Sequence, residues 1–550
     1  MNVAHHSSWP NRMPKKLDYP QTPLHDLLAT SARRFPDKPG VIYYGQVITY
    51  AQLWDQAQRL AGALAAMGLQ KGDRVALYMQ NCPHYLIGCF GVYAAGGVVA
   101  PLNPMLVERE LYNIVGDSGA RFIITTTELY GRVAPIAADL GVERVICGSL
   151  WDYMPENPAI PAPDFMAATP RAIDGAAAWL ETLASAPGAP QVDIDIKADL
   201  AMLPYTAGST GLPKGCMHTH ATVMSNVWSA MYWTQLSSGA NVLSCLPFFH
   251  VTGFVHSLAA PLAAGATLVM LTRWDREAAL QAVEKYGVTH FVNITAMMAD
   301  ILSAKDIESR DLASLQMVGG GGAPLPVALG QRLKDLTGLD YVEGYGMTET
   351  ISQTHFNPCD KVKLGSIGIP DFGVDARVID IETLRELPAG QQGELVIHGP
   401  EIMLGYWNKP VETKEAFIEL GGKRFLRTGD ICRMDEEGYF FITDRLKRMI
   451  NAAGFKVWPA EIEAVLYKHP HVLEACVISA PDAKRQETVK ALIVAKPGCQ
   501  PDPEEIMAWS RKEMSAYKAP RIVEIVAALP KSGAGKILWR QVQEQEMAKR

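Results

Sequence analysis

Short apolar, β-branched runs recur along the first half of the chain, at residues 75–79, 121–125, 145–147, 242–246, 267–271 and 290–293, and the stretches between them change to helical spacing. The plainest of these is 50–67, where Leu53, Ala57, Leu60 and Leu64 place apolar side chains on one helix face. Such strand–helix alternation predicts an α/β fold with large parallel sheets under helical cover. Two longer apolar stretches, 87–102 and 257–271, are broken by glycine and, in the second, by Pro261; both are short for a membrane span and read as buried elements. Proline, alanine and glycine crowd 155–190, which is better explained as a surface excursion within one domain than as a linker. Beyond Arg377 the texture changes to glycine-punctuated strands, including 393–398 and 438–443, which predicts a smaller β-rich subdomain. The last hundred or so residues read as a self-contained α+β unit, with helices over 459–467 and 503–514 and strands over 475–479 and 490–495.

Composition narrows the function more than the fold. The 550 residues are 48% hydrophobic and 20% charged, an ordinary globular balance with length for more than one domain. A formal net charge of −7 argues against a general nucleic-acid or anionic-membrane binder. Nine cysteines are scattered without C-x-x-C spacing, so neither a disulfide framework nor a zinc site is indicated. No apolar run follows the basic residues of the amino terminus, so the expected location is cytoplasmic.

Candidate chemistry is concentrated in glycine-rich segments. Residues 205–215 read Tyr-Thr-Ala-Gly-Ser-Thr-Gly-Leu-Pro-Lys-Gly, in which glycines permit close backbone approach, Thr206, Ser209 and Thr210 offer hydroxyls, and Lys214 brings a charge toward phosphate oxygens. The spacing is not that of a Walker loop, and an ordinary surface turn has a similar composition. Residues 318–324 place four glycines after an apolar run, room for something flat or a tight strand-to-helix connection. Residues 341–350 set Tyr345, Thr348 and Glu349 in what reads as a short turn, an aromatic for stacking on a purine and a carboxylate for Mg²⁺ beside phosphates. Asp430 follows Arg427-Thr428-Gly429, Arg445 and Lys447 fall in Asp-Arg-Leu-Lys-Arg at 444–448, and Lys536 ends a glycine-rich loop at 530–536.

In this order, from about residue 20 to 545, the segments resemble the adenylate-forming superfamily of acyl- and aryl-CoA synthetases, luciferases and peptide-synthetase adenylation domains. The resemblance implies a large N-terminal domain over 1–443, with layered sheets and helices, a hinge at 444–447 and a small mobile C-terminal domain over 448–550. It implies two half-reactions: a carboxylate attacks the α-phosphate of ATP and expels pyrophosphate, then a thiol attacks the acyl-adenylate and releases AMP. Carried over by position, Thr206, Ala207, Gly208, Ser209, Thr210, Gly211 and Lys214 cradle the β- and γ-phosphates, and Thr206 and Glu349 assist Mg²⁺. Gly321, Gly322 and Ala323 border adenine and the acyl group. Gly344 and Tyr345 resemble the nucleotide shelf, with Glu343 and Thr348 as further nucleotide contacts. Asp430 matches the ribose-binding carboxylate, Arg445 a second ribose or phosphate contact, and Lys536 the lysine that bridges the attacking carboxylate and the α-phosphate. Lys447 corresponds to the hinge about which the small domain turns, bringing the loop with Gly454 toward the thiol. The chain departs from the common pattern at Ala207, often Ser, Asn451, often Lys, and Ala453, often Gly.

The segment 246–256, Leu-Pro-Phe-Phe-His-Val-Thr-Gly-Phe-Val-His, is similar to the acyl-pocket segment of fatty acyl-CoA synthetases, with His250 bordering the acyl and pantetheine channels. With no acidic partner evident for an ammonium, and with Trp228, Phe254 and Val255 nearby in sequence terms, an uncharged medium- or long-chain acid is expected. An aryl or branched acid, a carrier protein in place of CoA, and a non-catalytic nucleotide-binding regulator are the alternatives. A homodimer and peripheral membrane contact are both compatible with the sequence.

Overall fold

The computed structural model describes all residues except 1–6, 12, 169–172, 207–212, 323–324, 453–454, 483–485, 516–517, 532–536 and 550. The chain divides into two compact units, Met1–Asp375 with Ile397–Leu426 and Glu437–Tyr439, and Ala376–Val396 with Arg427–Glu436 and Phe440–Arg550.

The first unit holds two sheets. One has seven strands in the order His218–Thr219, Leu200–Met202, Val98–Leu102, Arg74–Tyr78, Phe122–Thr126, Arg144–Gly148, Ala177–Ala178. The other has nine, in the order Ile369–Pro370, Ser352–Phe356, Tyr341–Met347, Met317–Gly321, His290–Ile294, Asn241–Ser244, Thr267–Met270, Pro39–Tyr43, Gln46–Thr49. All six early runs predicted as strands are strands, and their central pairings are parallel. Their near-continuous burial is what a sheet covered on both faces requires.

Helix Tyr50–Ala66 illustrates how local sequence and packing agree. Thr49 caps it by accepting from the Gln52 amide at 3.3 Å, and Gln52 returns a side-chain acceptor to the Thr49 amide at 2.9 Å. Its predicted stripe, Leu53, Ala57, Leu60 and Leu64, is fully buried. The apolar stretch 87–102 resolves into helix Pro83–Ala94 and strand Val98–Leu102, joined through Gly96 at φ 77°.

Two sequence expectations change. The excursion at 155–190 contains a strand, Ala177–Ala178, that extends the seven-stranded sheet, and a helix, Trp179–Ala184, whose Trp179 is buried and donates to the Tyr153 hydroxyl at 2.9 Å. Residues 341–350 are not a turn but a seven-residue strand, Tyr341–Met347, followed by a 3₁₀ turn, Thr348–Thr350, and an antiparallel return, Ser352–Phe356. Gly344 and Gly346 serve close hairpin approach: a Cβ on Gly344 would lie 2.5 Å from the Phe356 ring, and one on Gly346 would lie 1.6 Å from the Ser352 carbonyl oxygen.

In the second unit, Gln486–Ala495 is the central strand, flanked by Val472–Asp482 and by the parallel strand Ile522–Ile525. Helices Pro459–Leu466 and Pro503–Glu513 contribute Ile462, Leu466 and Ile506 to one apolar cluster with Val477, Ala491 and Ile493. Val542, from helix Trp539–Ala548, packs into a second cluster with Ile478 and Leu492. Alternation along the strands places these two clusters on opposite sheet faces.

Candidate active site

The base of the glycine-rich loop is a short antiparallel hairpin, Tyr205–Thr206 with Lys214–Gly215, in which Thr206 and Lys214 are direct cross-strand partners. Pairing thus fixes a hydroxyl residue and a lysine side by side below the loop. The segment 403–407 is laced to this hairpin and to the Glu349 turn. The Trp407 amide donates to Gly215 O at 2.8 Å, the Met217 amide to Gly405 O at 2.9 Å, and the Met403 amide to Glu349 O at 2.9 Å.

That lacing delivers Tyr406, which no sequence motif singled out. Its hydroxyl donates to Glu349 Oε1 at 2.7 Å, and the Lys214 ammonium sits 4.0 Å from its ring centroid. One aromatic side chain therefore links the lysine to the carboxylate, by a cation–π contact on its face and a charge-assisted bond at its tip. Burial, followed by the Glu349 charge, raises the Tyr406 pKa, so the phenol remains a neutral donor. The available sequence signal was a glycine followed by two aromatics, Gly405-Tyr406-Trp407.

Glu349 is 8% exposed, and Tyr406 occupies only one of its oxygens. Among the described residues no three His, Cys, Asp or Glu side chains gather as a metal cage. A single carboxylate would suit Mg²⁺, a cation that commonly keeps several waters and binds through one or two carboxylates plus substrate phosphates.

The nucleotide-shelf candidates lie at the carboxyl edge of the nine-stranded sheet. Tyr345 is half-buried and meets His355 edge-on, with ring centroids 6.0 Å apart. Glu343 is an internal brace, accepting from the Leu325 amide at 2.6 Å and the Gly365 amide at 3.1 Å, and burial raises its pKa. The glycine run divides in purpose. A Cβ on Gly320 would lie 2.0 Å from Asn293 O, and one on Gly321 2.5 Å from Gly344 O, so these glycines admit neighbouring strands. Gly322, at φ 82°, has open space on its side-chain face. The Thr348 carbonyl accepts from His218 Nε2 at 2.8 Å.

At 246–256 the chain doubles back on itself. Asn81 holds the first limb, donating to Leu246 O at 2.9 Å and accepting from the Phe248 amide at 2.8 Å. A Cβ on Gly253 would lie 2.0 Å from Pro247 O, so the return is possible only with glycine there. His250 caps Val251–Phe254 by accepting the Thr252 amide on Nδ1 at 3.3 Å. Solvent reaches its ring, yet the surrounding protein lowers its pKa, which favours neutral imidazole. Phe254 and Val255 are buried, and His256, on the π-helical turn Val255–Ala259, stacks on Phe356 at 6.1 Å.

In the second unit Asp430 and Arg445 are cross-strand partners, with Arg445 Nε 2.9 Å from Asp430 Oδ1. Asp430 is 3% exposed on its side chain while Arg445 is 62% exposed, so the pair presents a guanidinium over a fixed carboxylate. Lys447 lies in the 3₁₀ turn Leu446–Arg448. The expectations for Ala207, Gly208, Ser209, Thr210, Gly211, Ala323, Gly454 and Lys536 lie outside the described residues.

The family model of the AMP-binding enzymes matches residues 28–407, and that of the AMP-binding enzyme C-terminal domain matches 461–536. The chain belongs to the AMP-binding enzyme family. Among its relatives, a long-chain-fatty-acid–CoA ligase of Bacillus subtilis (strain 168) is 36% identical over 98% of this chain and 97% of that protein. A feruloyl-CoA synthase of Amycolatopsis sp is 35% identical over 93% and 96%. The crystal structure of ATP-bound MatB from Rhodopseudomonas palustris superposes with TM-score 0.82 at 28% identity, covering 95% of this chain and 99% of that one. This AMP-binding enzyme is thus an acyl-CoA synthetase of the adenylate-forming superfamily, an AMP-forming acid–thiol ligase using ATP and CoA. Activation of a carboxylate needs little proton transfer and depends on stabilising charge at phosphorus. Among the described residues no helix is long and apolar enough to cross a membrane.

Proposed function

We propose that the acid is a medium- or long-chain fatty acid, joined to AMP with release of pyrophosphate and then passed to the CoA thiol with release of AMP. The observation that carries this reading is the 36% identity to the Bacillus subtilis long-chain-fatty-acid–CoA ligase over 98% of this chain and 97% of that protein, joined to the apolar character of 246–256, where buried Phe254 and Val255 follow the solvent-reached His250. An apolar segment beside the reacting acid suits a hydrocarbon chain better than an amino-acid ammonium. The relationship to the Bacillus subtilis ligase over nearly the whole of both chains supports the same substrate class.

In this reading Thr206 and Glu349 hold Mg²⁺, Lys214 restrains the departing pyrophosphate, and Tyr345 borders adenine. Asp430 and Arg445 take the ribose, and Lys536 bridges the acid and the α-phosphate. The bound cation would neutralise phosphate charge, while Tyr406 keeps the Glu349 carboxylate aimed. Lys447 acts as the hinge between a domain over 1–443 and one over 448–550, and the enzyme works in the cytoplasm.

A second reading, an aryl acid, draws on the aromatic pairs Tyr345–His355 and His256–Phe356 and on the feruloyl-CoA synthase relative. A panel of aliphatic acids from short to long chain, with hydroxycinnamic and benzoic acids, separates the two when assayed for CoA-dependent AMP release. The fatty-acid reading expects turnover to peak on aliphatic acids of medium or long chain. Turnover confined to aromatic acids overturns it, and pyrophosphate exchange without thioester formation points instead to a carrier protein.

A further inference from the structure

Glu349 sits on a turn that the backbone does not adopt readily. Ile351 has φ 51° and ψ 13°, and Ser352 has φ 138°. A β-branched residue in the left-handed region is strained and persists only where its surroundings over-determine it. The glycine at 346, which lets the Ser352 carbonyl approach, is one such determinant.

The others come from the chain just beyond the Lys214–Gly215 strand. His218 donates from Nε2 to Thr348 O at 2.8 Å, on the near side of Glu349. Because a carbonyl can only accept, that ring nitrogen carries the hydrogen, and burial keeps the imidazole neutral by lowering its pKa to about 4. On the far side, Asn226 Nδ2 donates to Gln353 O at 2.6 Å and reaches Thr350 O at 3.4 Å, so one amide spans the two strained residues. Asn226 is 1% exposed on helix His220–Trp233, and its Oδ1 meets no donor among the described residues. Its polar contribution is therefore this pair of bonds. The Thr350 hydroxyl closes the turn by donating to Ser352 O at 2.7 Å.

We propose that Asn226 is a positioning residue for adenylation, clamping the left-handed Ile351–Ser352 turn so that Glu349 stays on Tyr406 beside Lys214. The inference rests on the reading of Glu349 as the cation-holding carboxylate. Strand His218–Thr219 and the helix it starts follow the Lys214–Gly215 strand directly in sequence and are bonded to the Glu349 turn through His218 and Asn226.

The test compares Asn226→Ala with Val223→Ala, a truncation of a fully buried apolar side chain on the same helix. Asn226→Leu, which keeps bulk without donors, replaces Asn226→Ala if the latter does not fold. Calorimetry of ATP binding with and without Mg²⁺ is read together with amide hydrogen exchange over 346–353. The expected result for Asn226 variants is an affinity for Mg²⁺·ATP about tenfold weaker, with metal-free ATP binding little changed. Exchange should accelerate at the turn, and kcat for pyrophosphate exchange should fall more than KM for ATP rises. Val223→Ala should lower stability without these changes. Asn226 variants that match Val223→Ala in metal dependence and in turn exchange overturn the proposal. Should metal-dependent ATP binding and turn exchange respond as expected while no acid in the panel supports pyrophosphate exchange, the substrate reading fails and the positioning role stands.

Discussion

The two sheets of the first unit share one strand plan and differ in what they do with it. In the seven-stranded sheet the parallel strands that start at residues 74, 98, 122 and 144 lie in the spatial order second, first, third, fourth. In the nine-stranded sheet the strands starting at 241, 267, 290 and 317 repeat that order. In both, the winding direction reverses between the first and third strands, and a crevice at the carboxyl edge is the place where such sheets bind ligands. In the proposed reading the nine-stranded sheet uses that edge for chemistry, with Gly322, Tyr345 and the Glu349 turn. In the seven-stranded sheet the equivalent edge is spent on structure. His84 bonds Asp152 at 2.9 Å, sealed by Tyr153 and Trp179 at 4.6 and 5.0 Å, and Asn81 reaches across to hold 246–248. Topology offers the same edge twice, and side chains give the two edges different uses.

The contrast is broken most severely at Glu349. Glu349→Gln keeps the shape and an acceptor for Tyr406 but removes the charge, and the adenylation rate should fall by about 10²–10³ with little change in thermal midpoint. A fall of less than tenfold in pyrophosphate exchange would refute the metal-holding assignment. On the other sheet, Asn81→Ala leaves a buried carbonyl and amide without partners and should cost roughly 2–3 kcal/mol in urea unfolding. Because the lost support lies under 246–250, KM for the acid should rise while ATP affinity holds. Equal losses for acid and nucleotide would show that Asn81 supports the whole edge rather than the acyl wall.

How much of this was legible in the sequence follows from where side-chain pattern and backbone demand agree. The parallel strands were readable because burial on both faces leaves continuous β-branched runs, and helix 50–66 because its apolar stripe matches one buried helix face. The hairpin at 341–356 was misread as a turn because Gly344 and Gly346 look like turn residues, whereas their role is to admit Phe356 and the Ser352 carbonyl from the partner strand. Helix Trp179–Ala184 was lost in the Pro- and Ala-rich composition around it, although buried Trp179 anchors it. The candidate site was legible as motifs in order, which marked Lys214, Glu349 and Asp430. Tyr406 escaped because its importance lies in distance: 57 residues from Glu349 in sequence and one hydrogen bond away in space. Asn226 was hidden likewise, being a single polar residue in an apolar helix.

Two buried groups, one in each region, should also answer pH with opposite signs. Near the nine-stranded sheet, Glu401 is 3% exposed and its Oε1 meets no donor among the described residues; burial, and then the charge of Asp371, push its pKa from 4.5 up to about 8. The folded state thus holds a proton that the unfolded chain releases above about pH 4.5, so this contribution is complete below that pH and is lost as pH rises toward 8. His84, by the other sheet, has its pKa lowered from 6.5 by burial despite Asp152. There the unfolded chain takes the proton first, so stability is lost as pH falls below about 6.5. Glu401→Gln mimics the protonated acid and has no proton to release, so at neutral pH, where the unfolded native chain has already released that proton, the variant should be the more stable of the two. It should flatten the alkaline limb, whose slope is up to about 1.4 kcal/mol per pH unit for one group, and leave the acid limb standing. Urea midpoints measured from pH 5 to 9 check this. An alkaline limb that survives the substitution would place the releasing proton elsewhere, and loss of both limbs would mean that the two groups are not independent.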